Sequence, residues 1–225
     1  MNRLKSKPED IEIDLKRAAC IVVDMQNAFA KPGGMLDLMG IDVSGAVSVI
    51  EKQQTLLATA RVAGVQVIYL AMTYQDDLSD AGGGDSPNYH KELGLRLMRD
   101  NPQHQGKILI DGTWDWQIVD ELTPTDGDLL IRKSRYSGFV GTHLDNYLRN
   151  RDIRYLFMSG IATNICVEST ARDAFFREYW PILIEDAVNH AGPDFCAAAT
   201  AWNFENIFGW VTDTDSVMSL LRDSH

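Results

Sequence analysis

Residues 18–24 read A-A-C-I-V-V-D, and this stretch decides the fold. The run is continuously apolar and rich in β-branched side chains, which suits a strand covered on both faces and not one with a face open to water. Comparable short runs recur at residues 65–71, 128–131, 155–159, 182–185 and 207–211, separated by longer segments of helical period. That alternation predicts an α/β fold: a three-layer sandwich with a six-stranded, mostly parallel sheet and helices on both faces. Residues 43–62 carry apolar side chains at helical spacing and stop at Gly64, which suits the turn into the next strand. Further helices are expected over 142–150, 165–178 and 193–203, the last with Pro193 in its first turn, where its missing N–H costs nothing. Residues 73–106 contain A-G-G-G-D-S-P-N-Y-H and show no period. They are expected to form a long loop or lid.

The 225 residues fit one large domain, here placed at 18–225 behind an N-terminal extension at 1–17. With 45% hydrophobic and 24% charged residues, the balance is that of an ordinary globular protein. The formal charge of −11 leaves no concentrated basic surface for phosphates, which excludes nucleic acid as a partner. No apolar run approaches the ~20 residues that a bilayer span needs, so no membrane role is expected. Residues 1–16 mix Lys, Glu and Asp without the apolar core of a secretory signal, and a cytoplasmic location follows. The three cysteines lack the close spacing of a zinc site or a disulfide framework. Cys20 and Cys196, each in an apolar setting, read as buried filler.

In an open α/β sheet the reactive groups collect beyond the carboxyl ends of the strands. Asp24 ends the first run, Lys133 follows L-L-I-R, and Cys166 follows Y-L-F-M-S-G-I-A-T-N-I. A thiol of ordinary pKa is mostly protonated at neutral pH, so a nucleophilic cysteine needs a base for its proton or a positive field for its thiolate. Asp24 and Lys133 are the candidates for these roles. The start of the helix after Cys166 adds free N–H groups, which favour a thiolate and can hold an oxyanion. A catalytically silent interaction domain on the same fold is the competing reading, since a fold alone does not establish a function.

The stretches I-V-V-D-M-Q-N-A-F at 21–29 and G-I-A-T-N-I-C-V-E-S-T at 160–170, with Lys133 between them, resemble the isochorismatase-like cysteine hydrolases. The resemblance runs from about residue 18 to residue 211. It implies a catalytic set of Asp24, Lys133 and Cys166, a cis peptide at Ile161-Ala162, and oxyanion donors at the Ala162 and Cys166 amides. Within the family the chain is most similar to the ureidoacrylate amidohydrolases of pyrimidine degradation. The supporting stretches are P-G-G-M-L-D-L-M-G at 32–40, S-P-N-Y-H-K at 86–91, G-T-W-D-W-Q-I-V-D-E-L at 112–122, R-Y-S-G-F at 135–139 and A-G-P at 191–193. This resemblance places Phe29, Met72, Tyr74, Gln105, Tyr136 and Ile161 around a small ureido substrate. The chain departs from that branch at Met72 and Tyr74, where its members carry Asn and Trp, and biuret and triuret hydrolases share the same Asp, Lys and Cys. The Asp-x-His metal pair of nicotinamidases is missing around Asp76, Asp77 and Asp80, so neither a metal nor another cofactor is expected. The family resemblance and the aromatic stretch W-N-F-E-N-I-F-G-W at 202–210 point to a homodimer or homotetramer.

Overall fold

The computed structural model describes residues 2–223. Eight strands form: β1 (Asn2–Leu4), β2 (Ile11–Ile13), β3 (Ala18–Val23), β4 (Gln66–Met72), β5 (Leu129–Lys133), β6 (Tyr155–Ile161), β7 (Trp180–Asn189) and β8 (Trp210–Thr212). The last six make one parallel sheet in the order β5-β4-β3-β6-β7-β8. Chain direction across the sheet reverses between β3 and β6, and a doubly wound sheet opens its crevice at that point.

Strand β3 shows why the apolar runs are continuous. Ala18, Cys20 and Val22 pack into the core on one face, whereas Ala19, Ile21 and Val23 pack into the core on the other. With a side-chain period of two, both sets must be apolar when both faces are covered. One cover is α3 (Ala46–Val62) with α9 (Thr214–Arg222), and the opposite cover includes α6 (Leu144–Asn150) and α7 (Glu168–Phe175). Helix α3 buries Ala46, Val49, Ile50, Gln53, Leu56, Leu57 and Ala60, and ends where Gly64 takes a φ of +72°. The three-layer architecture is therefore the one expected.

Four local expectations change. Residues 73–106 are not a structureless loop: they carry α4 (Pro87–Lys91) and α5 (Leu93–Asp100), the latter burying Leu95, Leu97 and Met98. The helical period is hidden in L-G-L-R-L-M because Gly94 stands on the buried face. A Cβ there would press within 3.1 Å of Met35, Ile108 and Leu109, so the absent side chain lets α5 approach closely. Strand β8 starts at Trp210 because Ile207 belongs to a π-turn spanning Phe204–Phe208. Pro193 precedes α8 (Phe195–Asn203), with Asp194 between them, and Cys196 on that helix is only half-buried. The N-terminal residues form the antiparallel hairpin β1–β2, and the loop between those strands is tied to β8 by two Lys7–Val211 backbone hydrogen bonds of 2.8 and 3.0 Å. Two short helices, α1 (Asn27–Ala30) and α2 (Met35–Leu38), follow β3 directly and wall its carboxyl end.

Gly160 pairs with Val23, one residue before Asp24. Its φ is +117°, and a Cβ would fall 2.0 Å from the Val23 carbonyl oxygen. Gly160→Ala should lower unfolding stability by about 3 kcal/mol or more, the combined cost of backbone strain and overpacking. A urea unfolding midpoint equal to that of the wild type would contradict this close strand approach.

Candidate active site

The three side chains expected to meet arrive on three different strands of one sheet. Asp24 leaves β3 in the left-handed region, with φ of 49°, a conformation that Asp tolerates better than most residues. Its N–H donates to the Leu70 carbonyl at 2.8 Å, and its carboxylate is aimed across the end of β4, where Oδ1 accepts from the Met72 N–H at 2.9 Å. Gln26 locks the same junction. Its amide accepts from the Met72 N–H at 2.8 Å and donates to the carbonyls of Met72 at 2.9 Å and Trp116 at 2.7 Å.

Lys133 is the last residue of β5 and lies beside Met72 in register. Since β4 separates β5 from β3, the flexible Lys stem must cross this intervening strand to reach Asp24. It does so, and Nζ donates to Oδ2 at 2.7 Å with both side chains fully buried. The ammonium also donates to the Arg135 carbonyl at 3.3 Å and touches the Met72 sulfur at 3.8 Å.

Cys166 approaches from the opposite side of β3. After β6 and the cis Ile161-Ala162 peptide, residues Thr163–Val167 form a π-turn that runs into α7. The Cys166 thiol is within hydrogen-bonding reach of both the Asp24 carboxylate and the Lys133 ammonium. Burial raises the Asp24 pKa despite the Lys133 charge beside it. Burial alone would lower Lys133, but Asp24 and Cys166 outweigh it, so the ammonium is held above its ordinary value. For Cys166, burial and the neighbouring Asp24 charge push the thiol well up. Burial and the Asp24 charge thus oppose the start of the helix, which favours a thiolate. A buried carboxylate of raised basicity next to a neutral thiol can take its proton as the sulfur attacks.

A narrow cavity opens onto the thiol. It is lined by Phe29, Met35 and Leu36 from the segment after β3, Met72 from β4, Glu92 and Leu93 at α5, and Tyr136, Ala162, Ile165, Cys166 and Ala191. Of the expected pocket residues, Phe29, Met72 and Tyr136 line it, as does Ala162. Ile161 is fully buried behind Ala162. Tyr74 is also fully buried and does not line the cavity: its hydroxyl accepts from Asn88 Nδ2 at 3.1 Å. Gln105 is outside the site altogether. It caps the exposed turn Pro102–His104, and helix α5 supplies the wall there instead.

Glu92 escaped the sequence reading. It is 2% exposed and caps α5, its carboxylate accepting from the Gly94 N–H at 3.1 Å and the Leu95 N–H at 2.8 Å. An acidic residue immediately before the L-G-L-R-L-M run is the signal that could have found it. The W-D-W segment has a supporting place: Asp115 accepts from the Met35 N–H at 3.0 Å and the Leu109 N–H at 2.8 Å, and burial raises its pKa to about 6. Among the described residues no cluster of His, Cys, Asp and Glu is placed to hold a metal, and no helix is long and apolar enough to cross a membrane.

Fold and site together define a doubly wound α/β protein with a buried thiol, carboxylate and ammonium at its switch point. Residues 18–216 match the isochorismatase domain family, and the chain belongs to that family of hydrolases. It is similar to the crystal structure of a cysteine hydrolase from Pseudomonas syringae pv. phaseolicola 1448A, at 30% identity and a TM-score of 0.81 over 100% of this chain and 99% of that one. An isochorismatase family protein from Desulfovibrio vulgaris is 27% identical with a TM-score of 0.76, covering 92% of this chain and 98% of that one. The N-carbamoylsarcosine amidase from Thermoplasma acidophilum is 26% identical with a TM-score of 0.66, covering 88% of this chain and 97% of that one.

Removing one member of a buried ion pair leaves the other uncompensated, at a cost of about 3–5 kcal/mol. Lys133→Met should destabilise the protein by that order. Asp24 would then be a buried carboxyl whose folded pKa lies above its unfolded value, so the native state binds the proton more tightly. Stability is full below the ordinary carboxylate pKa and falls as pH rises above it. Urea unfolding in mildly acidic and mildly alkaline buffer should show the deficit growing with pH. An equal deficit at both would contradict the pairing.

Proposed function

We propose that the protein is a cysteine amidohydrolase that cleaves a C–N bond of a small, planar ureido compound. The observation that carries this reading is the Asp24–Lys133 pair in contact with the Cys166 thiol at the floor of the cavity. In the proposed sequence of steps, Asp24 takes the thiol proton as Sγ bonds to the ureido carbonyl carbon. The Ala162 and Cys166 amides receive the oxyanion, and Lys133 holds the site's negative charge. The C–N bond then breaks, with Asp24 returning the proton to the leaving nitrogen. Water attacks the resulting thioester, and the thiol is regenerated.

Ureidoacrylate is the substrate supported by the stretches at 32–40, 86–91, 112–122 and 135–139. Its cleavage would leave a carbamoyl group on Cys166, expel 3-aminoacrylate and release carbamate. Biuret or triuret is a second reading, favoured by Met72 in the cavity wall, since a thioether offers no strong hydrogen bond to a polar substrate end. We further propose self-association as a dimer or tetramer. Phe176, Phe195, Trp202 and Ile207 are each more than half exposed on α7, α8 and the turn after α8, although Phe204 and Phe208 from the same aromatic stretch fill the core.

Cys166→Ala should abolish turnover of ureidoacrylate, biuret and triuret alike, while Cys20→Ala and Cys196→Ala keep it. Asp24→Asn should lower kcat by several orders of magnitude, as expected for residues that act as one unit. Wild-type rates in a pure Cys166→Ala preparation would defeat the mechanism. A preference of more than about a hundredfold in kcat/KM for biuret or triuret, worth ~2.7 kcal/mol, would remove ureidoacrylate as the substrate.

A further inference from the structure

The cavity has an unexpected charge balance. Among the described residues that line it, the ionisable side chains are Cys166, Tyr136 and Glu92, and none is Lys, Arg or His. The nearby ammonium of Lys133 is already engaged by Asp24 at 2.7 Å. Glu92 is thus the one carboxyl in a wall otherwise made of Phe29, Met35, Leu36, Met72, Leu93 and other apolar surface; burial raises its pKa, and the Leu95 and Gly94 N–H groups act against that by favouring the carboxylate.

Capping α5 does not by itself account for Glu92. Ser, Thr, Asp or Asn caps a helix at least as well, and a neutral cap would avoid the desolvation of a charge. A carboxylate has about four acceptor sites. The Gly94 N–H and the Leu95 N–H engage Glu92, which leaves acceptor capacity at the cavity wall. These two partners also fix the carboxylate's direction, because both are backbone groups of a helix. Glu92 lines the same cavity as Cys166 and Tyr136, so it faces the space in which a substrate would lie.

We propose that Glu92 sets the substrate class: it accepts an N–H from the end of the substrate remote from the attacked carbonyl, and it rejects substrates that carry a carboxylate there. This inference rests on Cys166 being the nucleophile, and it narrows the ureido reading to uncharged compounds that end in amide N–H groups. Of the two substrate readings above it therefore favours biuret and triuret, which have that character, over ureidoacrylate, which ends in a carboxylate. Hydrogen bonds to charged groups and like-charge repulsion both act on the same discrimination, in the same direction.

The test uses two small alkylating agents of nearly equal shape. Iodoacetamide ends in an amide N–H2, and iodoacetate ends in a carboxylate. In each case the Cys166 sulfur bonds to the methylene carbon, iodide leaves, and the thiol proton is released. Labelling rates at the Cys166 peptide are followed by mass spectrometry on the intact protein after timed quenching and digestion, with free cysteine as reference. In the wild type the preference for iodoacetamide should exceed that of free cysteine by about tenfold or more. Glu92→Gln keeps the shape and can offer an N–H to a carboxylate, so it should bring the preference back to within about threefold of free cysteine. In steady-state assays the same substitution should raise KM for biuret more than it lowers kcat, which a purely structural role would not do. A wild-type preference equal to that of free cysteine overturns the proposal even if Glu92→Gln fails to fold. So does an unchanged preference in folded Glu92→Gln. Absence of labelling at Cys166 with either reagent overturns the nucleophile reading itself, and the inference with it.

Discussion

The ion pair between Asp24 and Lys133 is the constraint on which the site depends. Two full charges lie 2.7 Å apart with no solvent exposure, an arrangement that hydrophobic replacements of equal volume would often match or exceed in stability. The surrounding structure is built to hold it. Gly160 permits β6 to press against the end of β3, Asp24 turns through a left-handed conformation, and Gln26 and the Met72 N–H fix the direction of the carboxylate. A pair so expensive to bury points to chemistry, and the thiol of Cys166 lies against it.

The strand order explains why these residues meet. Asp24 occupies the centre because β3 is central, Lys133 comes from two strands away on one side, and Cys166 from the adjacent strand on the other. Winding the sheet one way from β3 brings Lys133 to Asp24, 109 positions apart in sequence, and winding it the other way brings Cys166 to the same point. Thiol, carboxylate and ammonium then meet at one point of the crevice, as the proposed proton transfer requires.

Much of this was legible in the sequence because it lay on regular elements. Continuous β-branched runs mark strands buried on both faces, and the residue after such a run falls at the crevice edge, which is how Asp24, Lys133 and Cys166 stood out. The cavity walls were less legible. They come from short irregular pieces whose position depends on tertiary contacts: Gly94 disguises the period of α5, and the burial of Tyr74 behind Glu92 turns an expected lining residue into a support. Gln105 was placed by resemblance alone, and its turn lies on the exposed surface. The burial of the Cys166 thiol, which opposes the start of the helix, is likewise not visible from the order of residues.

The central claim is that Cys166 becomes covalently acylated during turnover. It is tested most directly by mixing enzyme with excess ureido substrate, quenching with acid on the millisecond to second scale, and mapping the digested protein by mass spectrometry. The account predicts an acyl adduct on the peptide containing Cys166 that forms before product accumulates and disappears as substrate is exhausted. Turnover without any adduct on that peptide, or with the adduct on another residue, would contradict it.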